Sequence, residues 1–84
     1  MNGKQKRTLS AVYKTPTPQN LVWADIESLL VALGCELIEG NGSRVSFRRD
    51  GKKADFHRPH PGKEAKPYQV RDAKDFLLLL GVNP

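Results

Sequence analysis

The 84-residue sequence is poor in cysteine and in long apolar runs. Its one cysteine, Cys35, excludes an internal disulfide and a cysteine-based metal cluster. The longest apolar runs, residues 29–33 and 76–80, contain five residues each, whereas a membrane-spanning helix needs about 20. The apolar run near the N-terminus is too short for a secretory signal. The length allows only one core, so the sequence predicts a single domain. Since it has no disulfide, membrane segment or secretory signal, the sequence also predicts a cytoplasmic location.

Acidic residues are absent from residues 1–20, which hold four basic residues. Residues 21–43 reverse this pattern with four acids and no base, and residues 44–66 hold eight bases against three acids. The net charge is +5 and the pI is about 9.7. Such a charge balance favours acidic partners, which include nucleic acid, an anionic membrane surface or an acidic protein.

Helical spacing of apolar residues predicts three helices. They comprise a short helix within residues 1–14, a second at about 21–33 that Gly34 ends, and a third from about 67 to 80. The segment Thr15–Pro18 contains two prolines, which break a helix, and is predicted to be a connector. Leu78 and Leu79 fall off the apolar face of the last helix, so either the N-terminal helix covers them or they are exposed for a partner.

Alternating polar and apolar residues predict strands at residues 44–48 and 53–57, and a less regular strand at 35–39. Both longer helices need an apolar surface, and the sheet offers one apolar face. We therefore expect an α+β fold of order α-β-β-β-α, with two helices side by side on one face of a three-stranded antiparallel sheet. This is the layout of the double-stranded-RNA-binding fold. It would occupy residues 21–84, and residues 1–20 would form an N-terminal helical extension.

The dipeptide Asp50-Gly51 is a strong signal for a two-residue hairpin turn. If these two residues form the turn, Arg48 faces Lys53 and Arg44 faces His57 on the solvent side of the sheet. Two opposed cations are unfavourable unless an anion lies between them, and a phosphate would supply that anion. Arg44 disfavours a second positive charge beside it, so His57 is predicted to be a neutral imidazole that can accept a proton.

A second histidine, His60, lies between Pro59 and Pro61 in a predicted loop. The prolines restrict the directions in which its side chain can point, although they also serve simply to end the third strand. His57 and His60 alone would be a weak metal site, because zinc takes four ligands. We therefore expect no metal and no cofactor.

Four segments carry a resemblance to a known family. Residues 23–34, the tripeptide Gly42-Ser43-Arg44, residues 56–61 and residues 76–82 resemble, in this order, segments of HicA proteins. HicA proteins are toxins of toxin–antitoxin pairs with a double-stranded-RNA-binding-like fold. The resemblance implies that the chain cleaves messenger RNA and that a HicB-like antitoxin inhibits it. The usual catalytic histidine of the family follows Gly-Ser, and Arg44 stands in that place here.

The sequence thus favours a metal-independent endoribonuclease in which His57 or His60 takes a proton from a ribose 2′-OH. Arg44 and Arg48 would stabilise charge on the phosphate. The RNA backbone would be held by the remaining basic residues of the middle segment, Arg49, Lys52, Lys53, Arg58, Lys63 and Lys66. Two alternatives stay open: a module with the same basic face that binds RNA without cutting it, and a module that binds only an acidic protein.

Overall fold

A computed structural model describes all 84 residues. Along the chain it contains α1 (Gly3–Val12), α2 (Trp23–Ala32), β1 (Glu36–Glu39), β2 (Arg44–Arg49), β3 (Lys52–His57) and α3 (Pro67–Leu79). The three strands form one antiparallel sheet in the order β1-β2-β3. The α+β fold and the order α-β-β-β-α after α1 are therefore confirmed. None of the helices combines the length and the apolar character that crossing a bilayer requires.

The hairpin between β2 and β3 has the predicted register, with Arg44 opposite His57 and Arg48 opposite Lys53. Asp50 and Gly51 form the turn with φ angles of 54° and 78°. Positive φ at both turn residues matches the right-handed twist of the flanking strands, which is why Asp-Gly favours this turn. Since one turn fixes the pairing of all six residues in each strand, it also decides which side chains face solvent.

The core lies between the sheet and the two helices α2 and α3. Val45, Phe47 and Phe56 point from the sheet into one cluster of 15 buried residues. The Phe56 ring is tilted against Trp23 of α2 with 5.0 Å between ring centroids, and Phe47 meets Phe56 edge-on at 6.0 Å. Both helices thus cover the same sheet face, and the face that carries Arg44 and His57 remains open.

Helix α1 packs against this domain rather than extending away from it. Leu9 and Val12 belong to the same buried cluster as the residues of α2 and α3. Asn2 caps the helix by accepting from the Gln5 backbone N–H at 2.8 Å, and the Gln5 side chain accepts from the Asn2 N–H at 3.0 Å. At the other end the Tyr13 hydroxyl donates to the Val82 carbonyl at 2.5 Å. The helix is therefore capped at its start, and the residue that follows its end is bonded to the C-terminal segment.

Leu78 and Leu79 are exposed, by 50% and 58% respectively. Of the two alternatives for these residues, coverage by α1 is wrong. Phe76 and Leu77 are buried, and each further residue turns by about 100° around the helix axis. Positions 78 and 79 are consequently rotated away from the core, and α1 contacts the end of the chain at Val82 instead.

Candidate functional site

The predicted catalytic residues meet at one corner of the open sheet face, where β2 begins and β3 ends. Arg44 is the register partner of His57, and the Ser43 hydroxyl lies 3.5 Å from Nδ1 of His57, at the outer limit of hydrogen-bonding distance. Ser43, Arg44 and His57 are all exposed. An imidazole, a guanidinium and a hydroxyl are thus presented to solvent side by side. We call this group the His57 corner.

The backbone of the His57 corner is held by hydrogen bonds from both sides. The Arg58 N–H donates to the Ser43 carbonyl at 2.8 Å, which extends the ladder one step beyond His57. The side-chain amide of Gln69, in the first turn of α3, donates to the His57 carbonyl at 2.6 Å. The Gln69 carbonyl oxygen accepts from the Lys66 N–H at 3.0 Å, and only 2% of Gln69 is exposed. The position of His57 is therefore tied to helix α3.

Sequence reasoning missed Gln69 because its capping pattern is incomplete. A glutamine three residues after a helix cap signals a helix start when the cap is serine or threonine. Here the cap residue is Lys66, so the usual signature is absent.

The turn that leads into Arg44 leaves no room for a side chain beside it. A Cβ atom built on Gly40 would lie 2.9 Å from the Cβ of Arg44. The Gly40 N–H donates to the Arg44 carbonyl at 2.9 Å, which holds the two backbones together. Glycine at this position therefore permits the close approach of the two backbone segments.

Arg58 follows the His57 corner and binds two carboxylates. Its guanidinium donates to Glu27 of α2 at 2.7 and 3.2 Å and to Glu39 of β1 at 2.7 and 3.0 Å. Glu27 also accepts from the indole N–H of Trp23. These bonds raise the pKa of Arg58, and the bond to Arg58 lowers the pKa of the Glu39 carboxyl. The guanidinium predicted to hold RNA is thus placed between α2 and β1, where four of its five N–H donors are used.

The cations in the centre of the open face also have carboxylate partners. Arg48 contacts Glu36 at 2.7 Å, and Lys53 contacts Asp55 at 3.7 Å. The Ser46 hydroxyl donates to Asp55 at 2.5 Å, and this bond, with the nearby positive charges, lowers the pKa of the Asp55 carboxyl. Each of the two opposed cations, Arg48 and Lys53, therefore has a carboxylate of the protein within ion-pairing distance.

The remaining predicted residues are distributed around the His57 corner at different distances. His60 is exposed in the loop between β3 and α3. Arg49 contacts Asp50 at 3.3 Å near the hairpin turn. The turn end of β3 lies about 17 Å from His57, because the six residues of this strand span five steps of about 3.4 Å each. Among the predicted RNA-binding residues, those without any ion pair are Arg44 at the corner, Lys52 near the turn, and Lys63 and Lys66 in the connection to α3.

Comparison with known proteins identifies one family. The family model described as the HicA toxin of bacterial toxin–antitoxin systems matches residues 23–76, which is more than half of the chain. The match begins at the first residue of α2 and includes the whole sheet, the His57 corner and most of α3. No curated protein and no solved structure is significantly similar to the chain.

Proposed function

The chain belongs to the HicA toxin family of bacterial toxin–antitoxin systems, and we propose that it is a metal-independent endoribonuclease that cleaves messenger RNA. The observation that carries this proposal is the His57 corner, in which a solvent-facing histidine lies beside Arg44 and Ser43. The corner has the groups that cleavage through a 2′-OH needs, namely a proton acceptor and a cation for the phosphate.

In the proposed reaction, His57 takes the proton of a ribose 2′-OH. The 2′ oxygen attacks the adjacent phosphorus, and the bond from phosphorus to the 5′ oxygen of the next nucleotide breaks. The leaving oxygen takes a proton from water, the hydroxide that remains is neutralised by the proton on His57, and the products are a 2′,3′-cyclic phosphate and a 5′-OH. Arg44 stabilises the negative charge that develops on the non-bridging oxygens, the kind of electrostatic contribution that is often the largest in catalysis.

The geometry favours His57 over His60 as the base. When Nδ1 of His57 carries the proton and faces the Ser43 hydroxyl, the lone pair of Nε2 is free to accept the 2′-OH proton. The carbonyl of His57 is fixed by Gln69, which limits the movement of its backbone. His60 has no side-chain hydrogen bond and lies in a loop, so we propose that it contacts the RNA near the reacting phosphate.

The RNA backbone would lie on those predicted RNA-binding cations that have no carboxylate partner, which are Arg44, Lys52, Lys63 and Lys66. Arg48, Arg49 and Lys53 would contribute only by exchanging Glu36, Asp50 or Asp55 for a phosphate. Since Arg58 is bound to Glu27 and Glu39, we propose that it supports the corner instead of contacting RNA.

The test uses the purified chain in EDTA with a labelled RNA and its matched 2′-deoxy version. We expect cleavage of the RNA alone, because the attacking group is the 2′-OH, and mass spectrometry of the product should give a 2′,3′-cyclic phosphate end. Cleavage of the deoxy strand, or cleavage that EDTA abolishes, would contradict the mechanism.

A second candidate is a module that binds RNA without cutting it, and Arg44 favours it because it stands where the family's histidine usually does. It predicts an intact RNA that is retained with a steep dependence on salt. The same incubation, followed by a gel-shift measurement, distinguishes the two candidates.

We also propose that a HicB-like antitoxin inhibits the chain by covering the His57 corner with acidic side chains. The proposal rests on the family, whose toxins pair with antitoxins, and on the unpaired Arg44 beside the histidine. Affinity purification from the native cell should recover a small partner in equal amount, and the complex should not cleave RNA. Purification that recovers the chain alone would count against this partner.

A further inference from the structure

Helix α1 carries a stripe of positive charge that the family match does not include, because the match begins at residue 23. Lys4 and Arg7 are three residues apart on one side of the helix, and Lys14 lies two residues beyond the last helical residue, Val12. Together with Lys6 they line a groove of about 570 Å³ whose opposite wall includes Leu21 and Asp25. We call this feature the α1 groove.

The positive charge of the α1 groove is mostly free. Lys4 contacts Asp25 at 3.3 Å, and this is the one ion pair in the groove. Lys6, Arg7 and Lys14 have no carboxylate partner, and residues 1–20 contain no acid that could provide one. Three unpaired cations therefore face a single concave surface, whereas the unpaired cations of the sheet are spread over its corner, its turn and the connection to α3.

The helix backbone that carries most of these cations is held in place, unlike that of a flexible basic tail. The opposite side of α1 is buried through Leu9 and Val12, and the Gln5 side chain donates to Ser28 of α2 at 2.9 Å. Cations on an ordered backbone lose less backbone conformational entropy on binding than cations on a disordered segment do.

The α1 groove leads towards the loop that carries His60. Its wall residue Leu21 accepts from the Ala65 N–H at 2.7 Å, and the next residue, Val22, is bridged to Glu64. On the other side of this bridge, Val22 and Lys63 line a second groove of about 240 Å³ that also includes Pro59. His60 is three residues from Lys63, which limits the distance between their Cα atoms to about 11 Å. The two grooves are therefore lined by consecutive residues, Leu21 and Val22, and the second groove includes residues on both sides of His60 in the chain.

We propose that the α1 groove binds the phosphate backbone of the RNA that the His57 corner cleaves, on one side of the scissile bond. This proposal rests on the proposed ribonuclease function. A backbone-tracking site needs a positively charged groove and no sequence-reading pocket, which describes these residues. An acidic protein fits less well, because tight protein interfaces depend on buried aromatic or large apolar anchors, and Ala11 and Leu21 are the only apolar residues of the α1 groove.

The test compares two double variants of the full chain that remove one arginine and one lysine each. Arg7→Gln/Lys14→Gln changes the α1 groove, and Arg71→Gln/Lys74→Gln makes the same change in net charge on α3, outside both grooves. Binding is measured with a long single-stranded 2′-O-methyl RNA, which cannot be cleaved through the 2′ oxygen. Circular dichroism checks that each variant is folded.

We expect Arg7→Gln/Lys14→Gln to weaken RNA binding at 0.1 M salt by roughly tenfold or more. The magnitude of the slope of log K against log salt should fall by about 1.4, since two phosphate contacts to a single strand are lost. The α3 variant should bind within a factor of about two of the wild type. Equal losses in both variants would show a net-charge effect and overturn the proposal, as would unchanged binding by the α1 variant. Unchanged RNA binding with weaker binding to the antitoxin would assign the groove to a protein instead.

The same variants separate this proposal from the ribonuclease function. If the wild type cuts no RNA but its binding still depends on Arg7 and Lys14, the ribonuclease proposal fails and the α1 groove stands as a binding site. If the wild type is active, the α1 variant should cleave a tetranucleotide at the wild-type rate and a long RNA with a raised KM. A tetranucleotide rate that falls as much as the long-RNA rate would contradict a role confined to backbone binding.

Discussion

The two most basic regions of the sequence differ in how their charge is used. On the open sheet face Arg48 and Lys53 contact Glu36 and Asp55. On α1 the only paired cation is Lys4, which contacts Asp25 of α2. The sheet carries more basic residues, but more of its charge is neutralised by the protein itself. A count of charges along the sequence therefore locates basic segments without showing which of them can receive a phosphate.

The difference follows from where the acids are. Residues 21–43 contain four acids and no base, and they contribute α2 and β1. Both elements lie beside the strands that carry the basic middle segment, so Glu36 and Glu39 meet cations from β2 and from the end of β3. Helix α1 meets α2 mainly through apolar side chains and has one acid within reach. The fold thus brings the acidic segment to the sheet and leaves most of α1 unneutralised.

The largest change in stability is expected from Arg58→Gln, which tests whether this cation is structural. The variant removes hydrogen bonds to Glu27 and Glu39. Because about one-third of the Arg58 side chain is exposed, solvent weakens these bonds, and we expect a loss of about 1–2 kcal/mol in the free energy of unfolding. Thermal and urea unfolding measure it. RNA affinity should change by less than about a factor of two, measured with folded protein. A large loss of RNA affinity with unchanged stability would place Arg58 among the RNA contacts.

The contribution of the Arg58–Glu39 pair to the free energy of unfolding should also depend on pH. Hydrogen bonding to Arg58 lowers the pKa of Glu39 below its usual value of 4.5, so the folded state binds this proton less readily than the unfolded state. The resulting stability is complete above about pH 5 and is lost as the pH falls through the lower, folded pKa. Urea unfolding of the wild type and Arg58→Gln from pH 7 to 3 should show a difference that shrinks at the acidic end. A difference that grows on acidification would contradict the assignment.

A smaller effect is expected from Glu36→Gln, which leaves one cation of the sheet without a carboxylate partner, as most cations of α1 are. The variant frees Arg48 from its carboxylate, and one additional phosphate contact should tighten RNA binding by about fivefold at 0.1 M salt. Fluorescence anisotropy with 2′-O-methyl RNA measures it. Asp72→Asn on α3 is the control, since it gives the same change in net charge on an exposed residue without an ion pair. Equal gains in RNA affinity in both variants would contradict the claim that pairing with a carboxylate keeps a cation from contacting RNA.

The smallest effect is expected from Lys4→Gln. Because Lys4 is already paired with Asp25, we expect less than a twofold loss of RNA affinity. Lys6→Gln, two residues along the same helix, removes an unpaired cation and should cost about fivefold at 0.1 M salt. The reverse order would mean that pairing within the protein does not determine which lysines contact RNA.

The register of the sheet could be predicted from sequence because it depends on a local signal. Asp50-Gly51 determines the turn, and the turn places Arg44 opposite His57. The helices could be predicted because their apolar spacing is regular, although it could not show that Leu78 and Leu79 are exposed. These features need only residues that are close in the chain.

The partners of the charged side chains could not be predicted, because they come from distant segments. Arg58 meets Glu27 and Glu39, which are 31 and 19 residues away, and Gln69 reaches His57 from a helix whose cap lacks the usual signature. The alternation of acidic and basic segments was a signal that such pairs exist. It could not say which pairs form until the packing of α2 and β1 was known.

The most direct measurement is the single-turnover rate of RNA cleavage by His57→Ala, with His60→Ala as the matched variant. His57 is exposed and its fixed contact is made by its backbone carbonyl, so both variants should fold, which circular dichroism checks. If His57 is the base, its loss should slow cleavage by about 10²–10⁴-fold while binding to 2′-O-methyl RNA stays within a factor of about two, and His60→Ala should have the smaller effect on the rate. Cleavage by His57→Ala at the wild-type rate would contradict the assignment of the catalytic site to the His57 corner.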